Sequence, residues 1–397
     1  MTSRGRMAVG IGVVVAAVAV VVGLVVLSGG DDAAPIGAVA AVQDDHLPVD
    51  PIEKIPERVG LVAETGVTTT RVDVFWAKTA RTRPSDPTDP ADPAYDFSRY
   101  DLIFQSLAKR GITPIVSVYD TPAWASGGVT EPPQPQPDAA FNRLAPDPDD
   151  FGAFMTALAT RYSGDFPSPG GEPLPKIGYF EMWNEPNLSG FLLPGGWDDE
   201  SATVDQLTDA RLDTYAAMVE AGFEGVKQAD PEATVIAGVG GPRSSTSRTG
   251  IGAVEWLRGL VERKIPLDAY SQHVYPAAPP LQETTVVPSW STIGRFLSEL
   301  DAFRPGLDLY ITEAGYTTAA TRFRDTQVSE DDQAEYLQQI YSLPQLRSER
   351  IKTVVWFNLQ DNADWPAGLL REDGSRKPSY GRFRQVVEEQ GGTTLGG

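Results

Sequence analysis

The chain has 397 residues, 41% of them hydrophobic and 9% aromatic, enough for one large core or two average ones. Its 33 Lys and Arg face 54 Asp and Glu, a formal charge of -21, which excludes nucleic acid as a partner because phosphates need a basic footprint. With no cysteine and only two histidines, His46 and His273, disulfides, thiolate centres, cysteine nucleophiles and a three-histidine zinc site are excluded. Carboxylates are left as the groups for any hydrolysis, with no metal ion or cofactor expected.

From Ala8 to Ser28 the chain carries no charge and is dominated by Val, Ala, Gly, Leu and Ile. About 20 such residues suffice for a helix to cross a bilayer. Arg4 and Arg6 precede the stretch and Asp31 and Asp32 follow it, so the positive-inside rule places the N-terminus in the cytoplasm and the remainder outside. A cleaved signal peptide is the alternative. The first Ala-x-Ala beyond the apolar run, Ala38 to Ala40, falls inside what reads as the first strand, which favours an uncleaved single-pass anchor at the cell membrane over a secreted protein. Residues 1–28 are therefore expected to be the cytoplasmic tip and transmembrane anchor, 29–37 a linker, and 38–392 the folded domain.

In that domain short β-branched runs alternate with longer helical patterns, the signature of parallel strands and crossover helices. The expected strands are Ala38 to Gln43, Thr68 to Phe75, Thr113 to Val118, Ile177 to Trp183, Thr234 to Ala237, Leu267 to His273, Asp308 to Thr312 and Thr353 to Phe357. Eight in one series is the count of a (β/α)8 barrel. Between them, Asp96 followed by Tyr100, Ile103, Phe104 and Leu107 and stopped at Gly111 reads as a capped helix. Leu212, Tyr215, Val219, Phe223 and Val226 form one stripe of a helix over Asp209 to Gln228. Ser329 and Asp332 resemble a capping box, with Asp in place of the usual Glu. The segments Tyr119 to Pro148, Asn184 to Leu207, Val274 to Ser289 and Asn358 to Lys377 are long and leave the C-terminal ends of strands, where barrel enzymes build their sites. Pro84 to Pro93, with its Asp-Pro repeats, lacks the glycine and terminal glutamate of a calcium loop and reads as a stiff surface loop, as does the proline-rich Glu131 to Pro137.

Two strands end on an acid. The fourth runs Tyr179-Phe180-Glu181-Met182-Trp183-Asn184-Glu185-Pro186-Asn187 and the seventh Tyr310-Ile311-Thr312-Glu313-Ala314-Gly315-Tyr316. A carboxylate there is costly unless it is paired, hydrogen bonded or working. Two glutamates from strands four and seven can meet across the barrel mouth, and glycosidic cleavage needs such a pair. Glu181, four residues before Glu185, points to the same side of the strand at period two; it reads as structural, paired with an arginine such as Arg71, so that its loss damages folding more than chemistry.

At these residues the chain resembles the clan A glycoside hydrolases, the four-seven barrel superfamily, nearest to the family 39 xylosidase and iduronidase group and the family 5 cellulase-like group. The resemblance runs from Val39-Ala40-Ala41-Val42 to Gly374–Tyr380. It implies a retaining O-glycosyl hydrolase acting on an extracellular oligo- or polysaccharide, with Glu185 as acid/base, Asn184 holding the sugar 2-hydroxyl and Glu313 as nucleophile. It further implies that His273 and Tyr275 border the nucleophile, that Arg71 holds it ionised and that Trp356 lies under the cleaved sugar. The bland readings are a satisfied buried histidine for His273 and plain core for Trp356. Trp124, with Trp76, Trp197, Trp290 and Trp365, lies near post-strand loops and is a further candidate for lining subsites. The chain departs from the clan after strand three, where many members carry a histidine and this sequence has Tyr119-Asp120-Thr121-Pro122-Ala123-Trp124. The rival functions on the same barrel are a non-catalytic carbohydrate-binding envelope protein and a transglycosylase.

Overall fold

The computed structural model describes residues 37–126 and 143–395. The proposed anchor, all but the last residue of the linker, and Glu131 to Pro137 lie outside the described residues. Among the described residues, no helix is long and apolar enough to cross a membrane.

Eight parallel strands close into a barrel in sequence order: β1 (Val39–Gln43), β2 (Thr69–Phe75), β3 (Thr113–Tyr119), β4 (Tyr179–Met182), β5 (Thr234–Gly240), β6 (Ala269–Gln272), β7 (Asp308–Ala314) and β8 (Ile351–Phe357). No strand end departs from its sequence expectation by more than three residues. Nearly every strand residue is buried, because one face meets the barrel interior and the other the helices, which is why these strands read as continuous apolar runs. The helices are α1 (Ile55–Glu64), α2 (Trp76–Thr79), α3 (Ser98–Ala108), α4 (Pro148–Arg161), α5 (Val204–Ala229), α6 (Ala253–Glu262), α7 (Ile293–Phe303), α8 (Glu330–Ser342) and α9 (Pro378–Glu389).

Local signals explain the helix ends. Asp96 Oδ1 accepts the Ser98 N–H at the start of α3, and Gly111 at φ 68° follows its end. α5 begins inside the expected loop: Thr203 accepts the Gln206 N–H while Gln206 Oε1 accepts the Thr203 N–H, a full capping box. At α8, Ser329 Oγ accepts the Asp332 N–H at 3.0 Å, but Asp332 Oδ2 accepts from the Ser329 hydroxyl rather than from its backbone N–H. Asp is one methylene shorter than the Glu of a full box. α4 and α5 come together where neither carries a side chain; a Cβ on Gly225 would stand 2.3 Å from the Gly152 carbonyl oxygen. The Asp-Pro loop is held by Asp92, whose Oδ2 accepts the N–H groups of Ser85 and Asp86 and the Ser85 hydroxyl, as a stiff surface loop requires.

The barrel interior changes character along its axis. Val39, Ile115, Ile236, Ala269 and Tyr310 fill its N-terminal end, and Leu395 packs with them from the chain terminus. The domain therefore runs past residue 392, the expected boundary. Higher up, Ser117, Ser271 and Thr312 are buried, followed by a layer of charge at the C-terminal mouth.

Candidate active site

Arg71 on β2 is fully buried and uses all five N–H groups. Nε donates to Glu181 Oε2 at 2.7 Å, Nη1 to Gln43 Oε1 at 2.9 Å and Glu313 Oε1 at 2.7 Å, and Nη2 to Ser117 Oγ and Asn184 Oδ1, both at 2.8 Å. A planar guanidinium can serve five acceptors at fixed angles; an ammonium with three donors cannot. One side chain thus ties β1, β2, β3, β4 and β7 together and sets the position of Glu313.

Glu313 reaches the interior through a break in the strand period. Thr312 points inward, its hydroxyl bonding Glu181 Oε1 at 2.6 Å, so the next residue on a regular strand would face the helices. Pairing of β7 with β8 shifts register between Ile311 and Ala314, and this irregularity aims Glu313 inward as well. Its second oxygen accepts the Tyr275 hydroxyl at 2.8 Å.

Glu185 also arrives by an irregular path. β4 stops at Met182, and Trp183 at φ 77° and Glu185 at φ 39° occupy a backbone region that costs about 1–3 kcal/mol per residue outside glycine. The simple period that relates Glu181 to Glu185 is therefore broken, although both glutamates end up at the barrel axis. The surroundings over-determine this turn. Tyr215 of α5 donates to the Met182 carbonyl at 2.7 Å, and the Asn187 side chain bonds Gly241 and Ile251 of the loop after β5. Gly241 is closely packed on this turn: a Cβ there would sit 2.7 Å from Leu188 Cδ1 and 3.0 Å from the Glu185 carboxyl carbon, so a larger residue would push on the Glu185 side chain. Two more residues with positive φ, Asp120 and Val239, lie at the ends of β3 and β5, so backbone strain gathers at the mouth.

His273 joins the two acids. Its Nδ1 lies 2.8 Å from Glu185 Oε1 and 3.4 Å from Glu313 Oε2, and one donor atom from each of the three residues lies within 4.8 Å of the others. Both glutamates are 8% exposed, which leaves each a small face toward solvent. Among the described residues this trio is also the grouping whose donor set a metal ion could take, although in this arrangement the imidazole Nδ1 is engaged with Glu185.

The electrostatics separate the buried carboxyls. For Glu181, burial pushes the pKa up, but Arg71, His273 and the Thr312 hydrogen bond outweigh it and hold the carboxyl below the usual range. For Glu313 burial wins: Arg71 and His273 pull down, Glu185 and Asp73 add to the rise, and the carboxyl sits above the usual range. Arg71 favours the charged form of Glu313, as expected of it, but that guanidinium also serves Glu181 and lies 3.4 Å from Asp73, and burial outweighs it. His273 is lowered by burial and raised by Glu313 and Glu185, with a net rise that favours imidazolium.

Of the residues singled out in the sequence, Arg71, Asn184, Glu185, His273, Tyr275 and Glu313 converge on one place. Trp356 does not. It is fully buried in the layer between sheet and helices, with its indole N–H given to the Ala367 carbonyl at 2.9 Å. The next residue on β8, Phe357, faces the other way and meets Tyr275 at 6.4 Å and Trp365 at 6.1 Å, edge to face. The strand-eight ring beside the site is therefore Phe357, one position on, because strand parity was not fixed by the sequence alone. Trp124 stacks edge-on with Trp76, carries the Arg83 guanidinium 4.8 Å over its ring and donates its N–H to Ala80. These partners hold it on the flank formed by the loops after β2 and β3. Trp76 and Trp290 are core, whereas Trp365 packs 5.0 Å from Tyr275. Sequence reasoning missed Gln43, Asp45, Asp73, Ser117 and Thr312. Gln43 and Asp73 were polar residues inside apolar strands, a signal that could have found them.

Compared by sequence, the chain matches no protein-family model and no curated protein. Compared by structure, it resembles a family 39 glycoside hydrolase from Bacteroides cellulosilyticus, with a TM-score of 0.57 and 20% identity over 89% of this chain and 64% of that one. It resembles a family 39 β-xylosidase from Caulobacter crescentus (TM-score 0.60, 18% identity, 89% and 72%). A third is a family 39 enzyme from Xanthomonas axonopodis (0.59, 18%, 89% and 68%). The chain thus spans about two thirds of the length of these structures, and at such identity the likeness is one of fold. Its architecture is the (β/α)8 barrel found in these family 39 glycoside hydrolases.

Proposed function

We propose that the chain is a retaining glycoside hydrolase in which Glu313 is the nucleophile and Glu185 the acid/base. The observation that carries this reading is the pair itself: a carboxylate oxygen of each glutamate within 4.8 Å of the other, on loop-proximal ends of β4 and β7, bridged by His273. Retention goes with carboxyl groups about 5–5.5 Å apart and inversion with about 6.5–9.5 Å. A separation of this kind leaves no room for a water between nucleophile and anomeric carbon.

In the first step Glu313 attacks the anomeric carbon while Glu185 gives its proton to the departing glycosidic oxygen, forming a glycosyl ester and a free alcohol. In the second, Glu185 takes a proton from water, whose oxygen displaces Glu313 and yields a sugar of retained configuration. Arg71 and Tyr275 hold one Glu313 oxygen each, which supports the leaving carboxylate and fixes the trajectory of attack. Asn184, oriented by Arg71, presents its amide to the sugar 2-hydroxyl.

The substrate is an oligo- or polysaccharide outside the cell, reached by a domain that the Ala8 to Ser28 segment anchors at the membrane; support for this comes from the Arg4/Arg6 and Asp31/Asp32 asymmetry. A panel of aryl glycosides and polysaccharides, with proton NMR of the anomer first released, tests the reaction. Release of the substrate's own anomer supports double displacement, and release of the opposite anomer refutes it. Protease added to intact cells tests the topology, since digestion of the catalytic domain is expected and protection contradicts it.

A further inference from the structure

Glu313 is held by two side chains with different foundations. Arg71 rises from the barrel interior to one oxygen, whereas Tyr275, whose hydroxyl donates to the other at 2.8 Å, stands three residues beyond the end of β6. The backbone N–H groups of His273 and Val274 still pair with the Gly240 and Glu313 carbonyls. Past Val274 the chain has left the sheet, and three of its next carbonyls are met by side chains of the loop after β7. Arg324 gives Nη1 to the Tyr275 carbonyl at 3.0 Å and Nη2 to the Pro276 carbonyl at 2.8 Å, and the Tyr316 hydroxyl donates to the Ala278 carbonyl at 2.8 Å.

The loop after β7 frames that arginine. Thr317 Oγ1 donates to the Thr326 carbonyl at 2.7 Å, and the Val328 N–H bonds the Thr317 carbonyl at 3.0 Å. Thr321 gives its backbone N–H to the Arg324 carbonyl at 2.7 Å, and its hydroxyl oxygen accepts the Arg324 backbone N–H at 3.2 Å. The placement is costly. Arg324 is half-buried, burial pulls its pKa below the ordinary value, its two Nη groups go to carbonyls rather than to a carboxylate, and Nε is buried with no acceptor among the described residues. A planar fork across two successive carbonyls fixes their spacing and tilt together, which a single flexible donor does not.

We infer that Arg324 is a positioning residue for the nucleophile: by fixing the Tyr275-Pro276 backbone it keeps the Tyr275 hydroxyl on Glu313. Tyrosine is a long lever, so a tilt of about 10° at its Cα moves the hydroxyl by about 1 Å, and a misplacement of about 1 Å at a reacting centre costs up to about 100-fold in rate. Trp365 and Phe357 pack edge to face with the ring, at 5.0 and 6.4 Å, and steady it; Arg324 steadies the backbone that carries it. This inference rests on the glycoside hydrolase reading.

The test is a double-mutant cycle on the full chain in detergent: Arg324→Ala, Tyr275→Phe and the two together, with Arg324→Lys alongside, all assayed below their melting temperatures. The readouts are kcat and KM on the 4-nitrophenyl glycoside that the parent hydrolyses fastest, and the rate of inactivation by the matching activated 2-fluoro glycoside, which reports the attack of Glu313 alone. Arg324→Ala is expected to lower kcat and the inactivation rate by about 5- to 30-fold, with KM within about threefold of the parent. In the Tyr275→Phe background the same substitution is expected to change either rate by less than about twofold, because the hydroxyl it positions is already gone. Arg324→Lys, which keeps the charge without the fork, is expected to fall between Arg324→Ala and the parent. Equal losses from Arg324→Ala in both backgrounds, a change in KM alone, or parent rates throughout overturn this inference and leave the hydrolase reading standing. Where Arg324→Ala does not fold, the cycle is run with Arg324→Lys and the same outcomes decide. Turnover of no glycoside by the parent, with no covalent label from the 2-fluoro glycoside, overturns both.

Discussion

Glu181→Gln separates the structural glutamate from the reacting ones. Glu181 is fully buried, 2.7 Å from Arg71 Nε and 2.6 Å from the Thr312 hydroxyl. At 2.7 Å and an effective dielectric of about 20 the gross attraction to the guanidinium is about 6 kcal/mol. Breaking a buried pair by removing one partner costs about 3–5 kcal/mol. Glu313 and Asp73 stay beside the guanidinium in the variant, which places the loss near the lower end, about 3 kcal/mol. That is a large share of a stability of about 5–15 kcal/mol. The loss has a pH signature. The folded-state pKa of Glu181 lies below its ordinary value, so its stabilisation is present above the unfolded pKa of about 4.3 and disappears as pH falls through the folded value. Urea denaturation at pH 7 is therefore expected to show a lower midpoint with unchanged slope, and the gap between parent and variant is expected to close in acid. Below the melting temperature turnover stays within about tenfold of the parent, whereas Glu313→Gln loses several orders of magnitude. A Glu181→Gln protein that melts like the parent but is as inactive as Glu313→Gln would refute the assignment of roles.

Further outcomes follow from the same network. Tyr275→Phe removes the 2.8 Å bond to Glu313, worth about 1.5–3 kcal/mol to a charged acceptor, so kcat/KM is expected to fall about 10- to 100-fold in steady-state assays with little change in melting. Glu313→Gln is expected to raise the melting temperature at neutral pH: a carboxyl with a raised folded-state pKa costs stability as pH rises through the unfolded value toward the folded one, and the amide has no such cost. The two melting curves should converge in acid, and a variant less stable than the parent at pH 7 contradicts the reading. Phe357→Ala is expected to raise KM without unfolding the barrel, whereas Trp356→Ala costs about 3–5 kcal/mol of stability as a core truncation. The reverse pattern would restore Trp356 as the ring at the site.

The barrel was legible because each strand is buried on both faces and each helix on one, so period and composition mark both kinds of element without reference to contacts. The glutamates were legible for a related reason, since a charge at the end of an apolar run has to be explained. Side-chain direction was harder to read. Glu313 and Glu185 face the axis only because a register shift in β7 and two positive-φ residues after β4 break the strand period, and neither event leaves a mark in composition. The same dependence on parity moved the strand-eight ring from Trp356 to Phe357. Gln43, Asp73 and Ser117 gain their meaning from Arg71, whose five partners come from positions as far apart as Gln43 and Glu313. No local pattern encodes that.

Incubating the chain with an activated 2-fluoro glycoside, digesting it and weighing the peptides addresses the shared anomeric carbon most directly. The expected mass addition is one fluoroglycosyl group on the peptide that holds Glu313, at that residue, with Glu185→Ala slowing release of the label. A label on Glu181 or Glu185, or a time-dependent loss of activity with no glycosyl ester at all, would contradict the account.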